Sequence, residues 1–167
     1  MRKTSRGLRH SSKASRNKMA ELNYECLKLR NQLCFPLYSV SNLVIRNYKP
    51  FLDKIHLTYT QYIAMMVLWE KKEMTEKELG KELFLKSKTL TLLLQKLKAK
   101  GYVKIHKDKK DGRKIIISLT SEGEKLKDEA VDIPPSIAKQ YNLSTQEAGE
   151  LYRILYKILE ESDYEEL

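Results

Sequence analysis

The stretch "LKSKTLTLLLQKLKAKG", residues 85–101, runs straight into "YVKIHKDKKDGRKIIISLT", residues 102–120, and this junction decides the fold. In the first half Leu90, Leu93, Leu94 and Leu97 recur at helical spacing and form one apolar face. Lys88, Thr89, Thr91, Leu92, Gln95 and Lys96 fall on the outer side or its edge. Ser87 reads as the N-cap and Gly101 as the residue that ends the helix. In the second half two β-rich segments, "YVKIH" and "KIIISLT", flank the polar loop "KDKKDGR". That pattern predicts a β-hairpin with a long basic tip.

Working upstream, "MTEKELGKELF" opens with Thr75 and Glu78 in capping-box spacing, which predicts a short helix that Gly80 does not stop. Before it, "QYIAMMVLWEK" is apolar nearly all round, a buried helix running to about Lys71 and capped by Thr58 or Thr60. Three helices followed by a hairpin are the layout of a winged helix-turn-helix, here spanning about residues 58–120.

Apolar helices flank this module on both sides. From Glu21 to Tyr48 the period is carried by Leu22, Cys26, Leu29, Leu33, Leu37, Val40 and Val44, with Pro36 either kinking the helix or starting a new one and Pro50 closing it. Downstream, "SEGEKLKDEAV" predicts a helix opened by a Ser121–Glu124 capping box and broken at Asp132–Pro135. Ser144 and Glu147 open a last helix with the stripe Leu151, Ile154, Leu155, Ile158 and Leu159. The fold class is therefore mainly α with a small β-hairpin, the winged helix-turn-helix lying between segments of about 20–50 and 121–162. The small central module cannot cover both apolar flanks, so they are expected to build a homodimer interface. Twofold symmetry also suits a palindromic DNA site. The plainer alternative is that they pack on each other within one chain.

With 167 residues the chain suits one domain, read as residues 19–167 with a basic arm at 1–18. The arm carries seven Lys or Arg and no acid, so the formal charge of +10 falls to +3 without it. Met19 begins "MAELNYE", which reads as an independent start, and the arm stands open between a native extension and upstream read-through. The longest apolar run, "IAMMVLW", is far too short to span a bilayer, and no apolar region follows the basic N-terminus as a secretory signal would require. Two cysteines form no disulfide framework, and a reducing cytoplasm is the expected location. His10, His56 and His106 lack metal-ligand spacing, so neither metal nor cofactor is expected.

Short polar groups at the start of the 87–99 helix (Ser87, Lys88, Thr89, Thr91) suit phosphates and base edges, and Gln95 and Lys96 reach further. These residues would equally serve to solvate an exposed face. The hairpin tip, with Lys107, Lys109, Lys110, Arg113 and Lys114 against Asp108 and Asp111, is more basic than a turn requires. "DGRKIIISLTSEG", residues 111–123, resembles the D-x-R…L-T-x-x-G wing signature of MarR-type transcription regulators. "NQLCFPLY", "YKPFLDK", "LTYTQYIAMMVLWE" and "AVDIP" resemble the OhrR branch, the organic-hydroperoxide-sensing repressors, over about residues 31–160. The resemblance implies a winged-helix homodimer on a pseudo-palindromic double-stranded operator, with Arg113 entering the minor groove and Asp111 orienting it. Lys88, Leu92 and Gln95 stand where the family usually has Gly, Pro and a basic residue, which bears on operator identity.

Cys34, in "NQLCFPLYSVS", is on composition alone more readily a small buried hydrophobe than a reactive thiol. Tyr38, four residues on, shares its face if the helix continues across Pro36; if the helix starts there, exposed N–H groups stand beside the sulfur. The resemblance implies that Cys34 is the redox-sensing residue, its thiolate stabilised by Tyr38 and by Tyr48 and Tyr59 from the partner subunit. Oxidation by an organic hydroperoxide would give a sulfenic acid, captured by a low-molecular-weight thiol. Along a continuous helix Cys26 would lie about 12 Å from Cys34, too far for a disulfide, so Cys26 is read as a packing residue. Tyr59, Tyr62 and Trp69 are most simply core, though related regulators bind phenolic ligands between the same elements. Two further readings keep the fold, a broader stress or virulence regulator and a ligand-responsive one. A thiol peroxidase using Cys34 is the reading from another class, and it leaves the basic wing unexplained.

Overall fold

The computed structural model describes residues 24–161, which fall into two units divided between Asn42 and Leu43. The expected arm, residues 1–18, lies outside the described residues.

In the first unit two 3₁₀ turns, Tyr24–Leu27 and Leu29–Asn31, precede helix α1, Cys34–Leu52. The helical period from Glu21 is thus not one helix. Side-chain amides take the place of helix bonds: Asn31 donates to the Glu25 carbonyl at 2.7 Å, and Gln32 donates to that of Cys26. Pro36 sits in the first turn of α1, where its missing N–H has no helical partner to lose. α1 continues into the second unit. Pro50 does not close it but lies inside the last turn, followed by only two helical residues.

The second unit holds α2 (Tyr59–Lys71), β1 (Glu73–Thr75), α3 (Glu76–Glu82), α4 (Ser87–Ala99), β2 (Val103–Lys107), β3 (Ile115–Leu119), α5 (Ser121–Ala130), α6 (Ile133–Ala138) and α7 (Thr145–Glu160). Thr58 caps α2, Thr75 caps α3 and Ser144 caps α7, each reciprocated by Gln61, Glu78 and Glu147 in full capping boxes. Two expected caps are displaced by one residue. Lys86 is the N-cap of α4, without a side-chain bond, and Ser87 is already helical. Thr120 caps α5 by accepting from Gly123 N–H, so there is no Ser121–Glu124 box. Here tertiary packing favours Thr120, whose hydroxyl also donates to the Gly101 carbonyl at 2.6 Å. Gly101 ends α4 at φ +79°; its own N–H bonds Lys98 O at 2.9 Å and Tyr102 N–H bonds Leu97 O at 3.1 Å, the paired bonds of a Schellman end.

The hairpin β2–β3 is joined by β1, giving an antiparallel sheet of order β1-β3-β2 in which Ile117 pairs with both Met74 and Ile105. Ile117, Leu68, Met65, Leu79, Leu94 and Leu97 are buried at the centre, where α2, α3, α4 and the sheet meet. Asp132–Pro135 does break the α5 helix, but Pro134 and Pro135 then start the short α6, whose Ile133 and Ile137 join the core. Along α7 nothing is fully buried, and Leu151, Ile154 and Ile158 are each more than 40 % exposed. Among the described residues no helix is long and apolar enough to cross a membrane.

Candidate nucleic-acid interface and thiol site

α3 and α4 form the helix-turn-helix. Their close approach depends on Gly80, where a Cβ would stand 3.3 Å from Leu85 O and Leu90 Cδ2. The leucine face of α4 is buried, while Ser87, Lys88, Thr89, Thr91, Gln95 and Lys96 are all exposed. One of these is committed elsewhere: Thr91 Oγ1 lies 2.7 Å from Glu76 Oε1 and 2.9 Å from the Ser87 carbonyl. Its single proton is shared back toward α3, a link between remote residues that spacing along the chain does not reveal. Leu92 is a 55 % exposed leucine among these polar groups.

The acids of the hairpin tip shape the loop. Asp108 Oδ1 accepts from Lys110 N–H at 2.6 Å and Asp111 N–H at 2.7 Å, and these bonds hold its carboxyl below the usual aspartate range. Asp111 Oδ1 accepts from Arg113 Nε at 3.1 Å and Arg113 N–H at 3.2 Å. The Arg113 side chain, then its backbone N–H, holds the Asp111 carboxyl low as well. Arg113 is 93 % exposed, so its guanidinium is oriented on one edge and free to project on the other. Lys109 and Lys110 are exposed beside it. The root of the hairpin is fixed by the rest of the signature. Trp69 Nε1–H donates to Gly123 O at 2.8 Å, and a Cβ on Gly123 would overlap the carbonyl oxygen of Tyr102.

Cys34 is the first residue of α1 and is exposed, so its sulfur stands at a helix N-terminus. Tyr38, one turn later on the same face, is 69 % exposed. Cys26 lies in the first 3₁₀ turn. No continuous helix joins Cys26 to Cys34, so helical spacing does not keep the two sulfurs apart, although they are not joined here.

Tyr48 and Tyr59 are brought together in the second unit, their rings 5.0 Å apart and edge-on. Tyr62 lies 5.8 Å from Tyr48 and 6.1 Å from Trp69, completing an aromatic cluster. Burial pushes the Tyr48 and Tyr59 phenols up, and that of Tyr62 up to about 12, so all three keep their protons and can act as donors. Tyr141 is a fourth phenol packed against the same core, and no spacing in the sequence relates it to the others. Among the described residues no group of three or more His, Cys, Asp or Glu is arranged to hold a metal ion.

Residues 46–130 match the family described as transcriptional regulator SarA/Rot. The chain is 41 % identical over 140 residues to the organic hydroperoxide resistance transcriptional regulator of Bacillus subtilis, covering 84 % of this chain and 95 % of that protein. The fold is also that of AbfR of Staphylococcus epidermidis. Its reduced form bound to DNA superposes with a TM-score of 0.69 at 32 % identity, covering 83 % of this chain and 97 % of that one. Its disulfide form gives 0.59 at 32 % identity, over 87 % and 98 %.

Proposed function

This chain belongs to the MarR-type winged-helix transcription regulators, and we propose that within that family it is a repressor released from DNA by oxidation of Cys34. It is a DNA-binding transcriptional regulator and not an enzyme. The observation that carries the finer reading is the placement of Cys34 at the helix N-terminus one turn from Tyr38, in a chain that also pairs Tyr48 with Tyr59. The relation to a hydroperoxide resistance regulator, and the reduced and disulfide forms known for AbfR, support it.

In this reading two copies associate through α1 and α7 and place their α4 helices in successive major grooves of a pseudo-palindromic operator. Ser87, Lys88, Thr89, Gln95 and Lys96 meet phosphates and base edges, with Thr91 steadied by Glu76. Lys109, Lys110 and Arg113 of the wing reach the minor groove, Arg113 held by Asp111. The Cys34 thiolate, stabilised by Tyr38 and by Tyr48 and Tyr59 of the partner subunit, attacks the terminal oxygen of an organic hydroperoxide. The sulfenic acid formed is capped by a low-molecular-weight thiol. The added atoms disturb the tyrosine contacts, shift the subunits and spoil the half-site spacing.

The test is fluorescence anisotropy on the DNA upstream of the protein's own gene, before and after stoichiometric cumene hydroperoxide. Wild type and Cys26→Ser are expected to leave the DNA, and Cys34→Ser to stay. If Cys34→Ser leaves as readily, the thiol switch is refuted. An alternative of the same fold, compatible with the match to the SarA/Rot transcriptional regulators, is a broader stress or virulence regulator. It predicts peroxide-sensitive binding at many promoters rather than one.

A further inference from the structure

Tyr141 packs against the core through its ring, yet its hydroxyl is buried with no hydrogen-bond partner. Orphaned buried hydroxyls are rare because water is lost and nothing replaces it; phenylalanine would fill the same space without that cost. The orphan does not stand alone. It packs against the same core as Tyr48 and Tyr59, near enough to disfavour ionisation of both their phenols, and those two rings are already 5.0 Å apart. Three phenols thus converge on one region of the second unit, and Tyr141 contributes an uncommitted donor.

We propose that Tyr141 is a third oxygen-binding hydroxyl of the Tyr48–Tyr59 site, donating to the alkoxide oxygen that leaves an organic hydroperoxide. The inference rests on the Cys34 reading above. In that step Sγ of the partner subunit's Cys34 attacks the terminal oxygen of R–O–OH, the S–O bond forming as the O–O bond breaks. Sulfur gives up two electrons and the peroxide accepts them. The sulfenic acid keeps the terminal oxygen and its hydrogen, and RO⁻ departs, to take a proton from water and become the alcohol. Negative charge therefore builds on the inner oxygen. With Tyr48 and Tyr59 engaged by the thiolate, a third donor for that oxygen is the group the reaction lacks, and a buried donor with no partner of its own acts chiefly in the transition state.

The experiment compares full-length wild type with Tyr141→Phe. Sulfenic acid formation on Cys34 by cumene hydroperoxide is timed by dimedone trapping and intact mass. In parallel, alkylation of Cys34 by iodoacetamide, which has no alkoxide leaving group, is timed on the same proteins. Tyr141→Phe should slow oxidation by roughly tenfold to a hundredfold, while alkylation and the affinity of the reduced protein for DNA stay unchanged. Equal oxidation rates in the two proteins overturn the proposal and leave a bound water as the partner of Tyr141. A matching loss in alkylation overturns it too, since the variant would then act on the thiolate or the fold. Wild type that forms no sulfenic acid at Cys34 refutes the underlying reading, an outcome distinct from both.

Discussion

Gly123 sits against the backbone of Tyr102 with no room for a side chain: a Cβ there would overlap the Tyr102 carbonyl oxygen. The Gly123 N–H donates to Thr120 Oγ1 at 2.9 Å, and its carbonyl accepts from Trp69 at 2.8 Å. This one residue ties α2, the root of the wing and the start of α5. The glycine of the L-T-x-x-G signature is therefore a packing requirement. Gly123→Ala should destabilise the protein by at least about 2 kcal/mol, since the opposing atom is backbone and cannot swing aside. Thermal unfolding checks it, and an unchanged melting temperature would contradict the packing argument.

Arg113 and Asp111 separate charge from aim. If Arg113 meets DNA as proposed, Arg113→Ala should make the slope of log affinity against log salt shallower by about 0.9, the loss of one cation from the phosphate contacts. Asp111→Asn keeps the cation but loses the charged acceptor, so affinity should fall with the slope nearly unchanged. A slope that changes equally in both variants would count against this division.

The same pair makes a prediction about pH. The Arg113 bonds hold the folded Asp111 carboxyl below the ordinary value of 3.8, so the interaction is fully present above 3.8 and is lost as pH falls through the lower folded value. Carboxyl NMR titration should find Asp111 ionised at pH 4, and wild-type wing geometry should be constant from pH 8 down to that point. An Asp111 titrating above 3.8 would show that the bond is not formed in solution.

Tyr62 works at the alkaline end. Burial first, then Tyr48 and Tyr59, raise its phenol from 10.0 to about 12. The unfolded chain ionises first, so the stability held below pH 10 drains away as pH rises toward 12. Tyr62→Phe should lessen the difference in unfolding free energy between pH 8 and pH 11 by about 1 kcal/mol. Urea titrations at the two pH values measure it.

The proposed dimer contact on α7 is open to test. Leu151, Ile154 and Ile158 are 43 %, 46 % and 48 % exposed on one face of a helix with no buried residue. Ile154→Glu is expected to turn a dimer into a monomer in sedimentation velocity and to abolish high-affinity operator binding. A monomeric wild type would place the dimer contacts elsewhere or nowhere.

The sequence by itself determined what local chemistry controls. The leucine face of α4, the capping residues Thr75 and Ser144 with Glu78 and Glu147, the Gly101 helix end and the hairpin with its basic tip all depend on residues within one or two turns of each other, and each lies where spacing put it. Where a nearby alternative existed, local reading slipped by a residue, as at Lys86 and Thr120, because the choice of cap is settled by what the hydroxyl meets across the fold. The break before Cys34 was visible in Pro36 only as a choice between a kink and a start. Only the tertiary structure decided the third strand, whose three residues are too few for alternation to register, and the Glu76–Thr91 and Trp69–Gly123 bonds. It alone drew Tyr141 in beside Tyr48 and Tyr59. These relations join residues separated by 15, 54 or more positions, and a period carries no information about partners at that range.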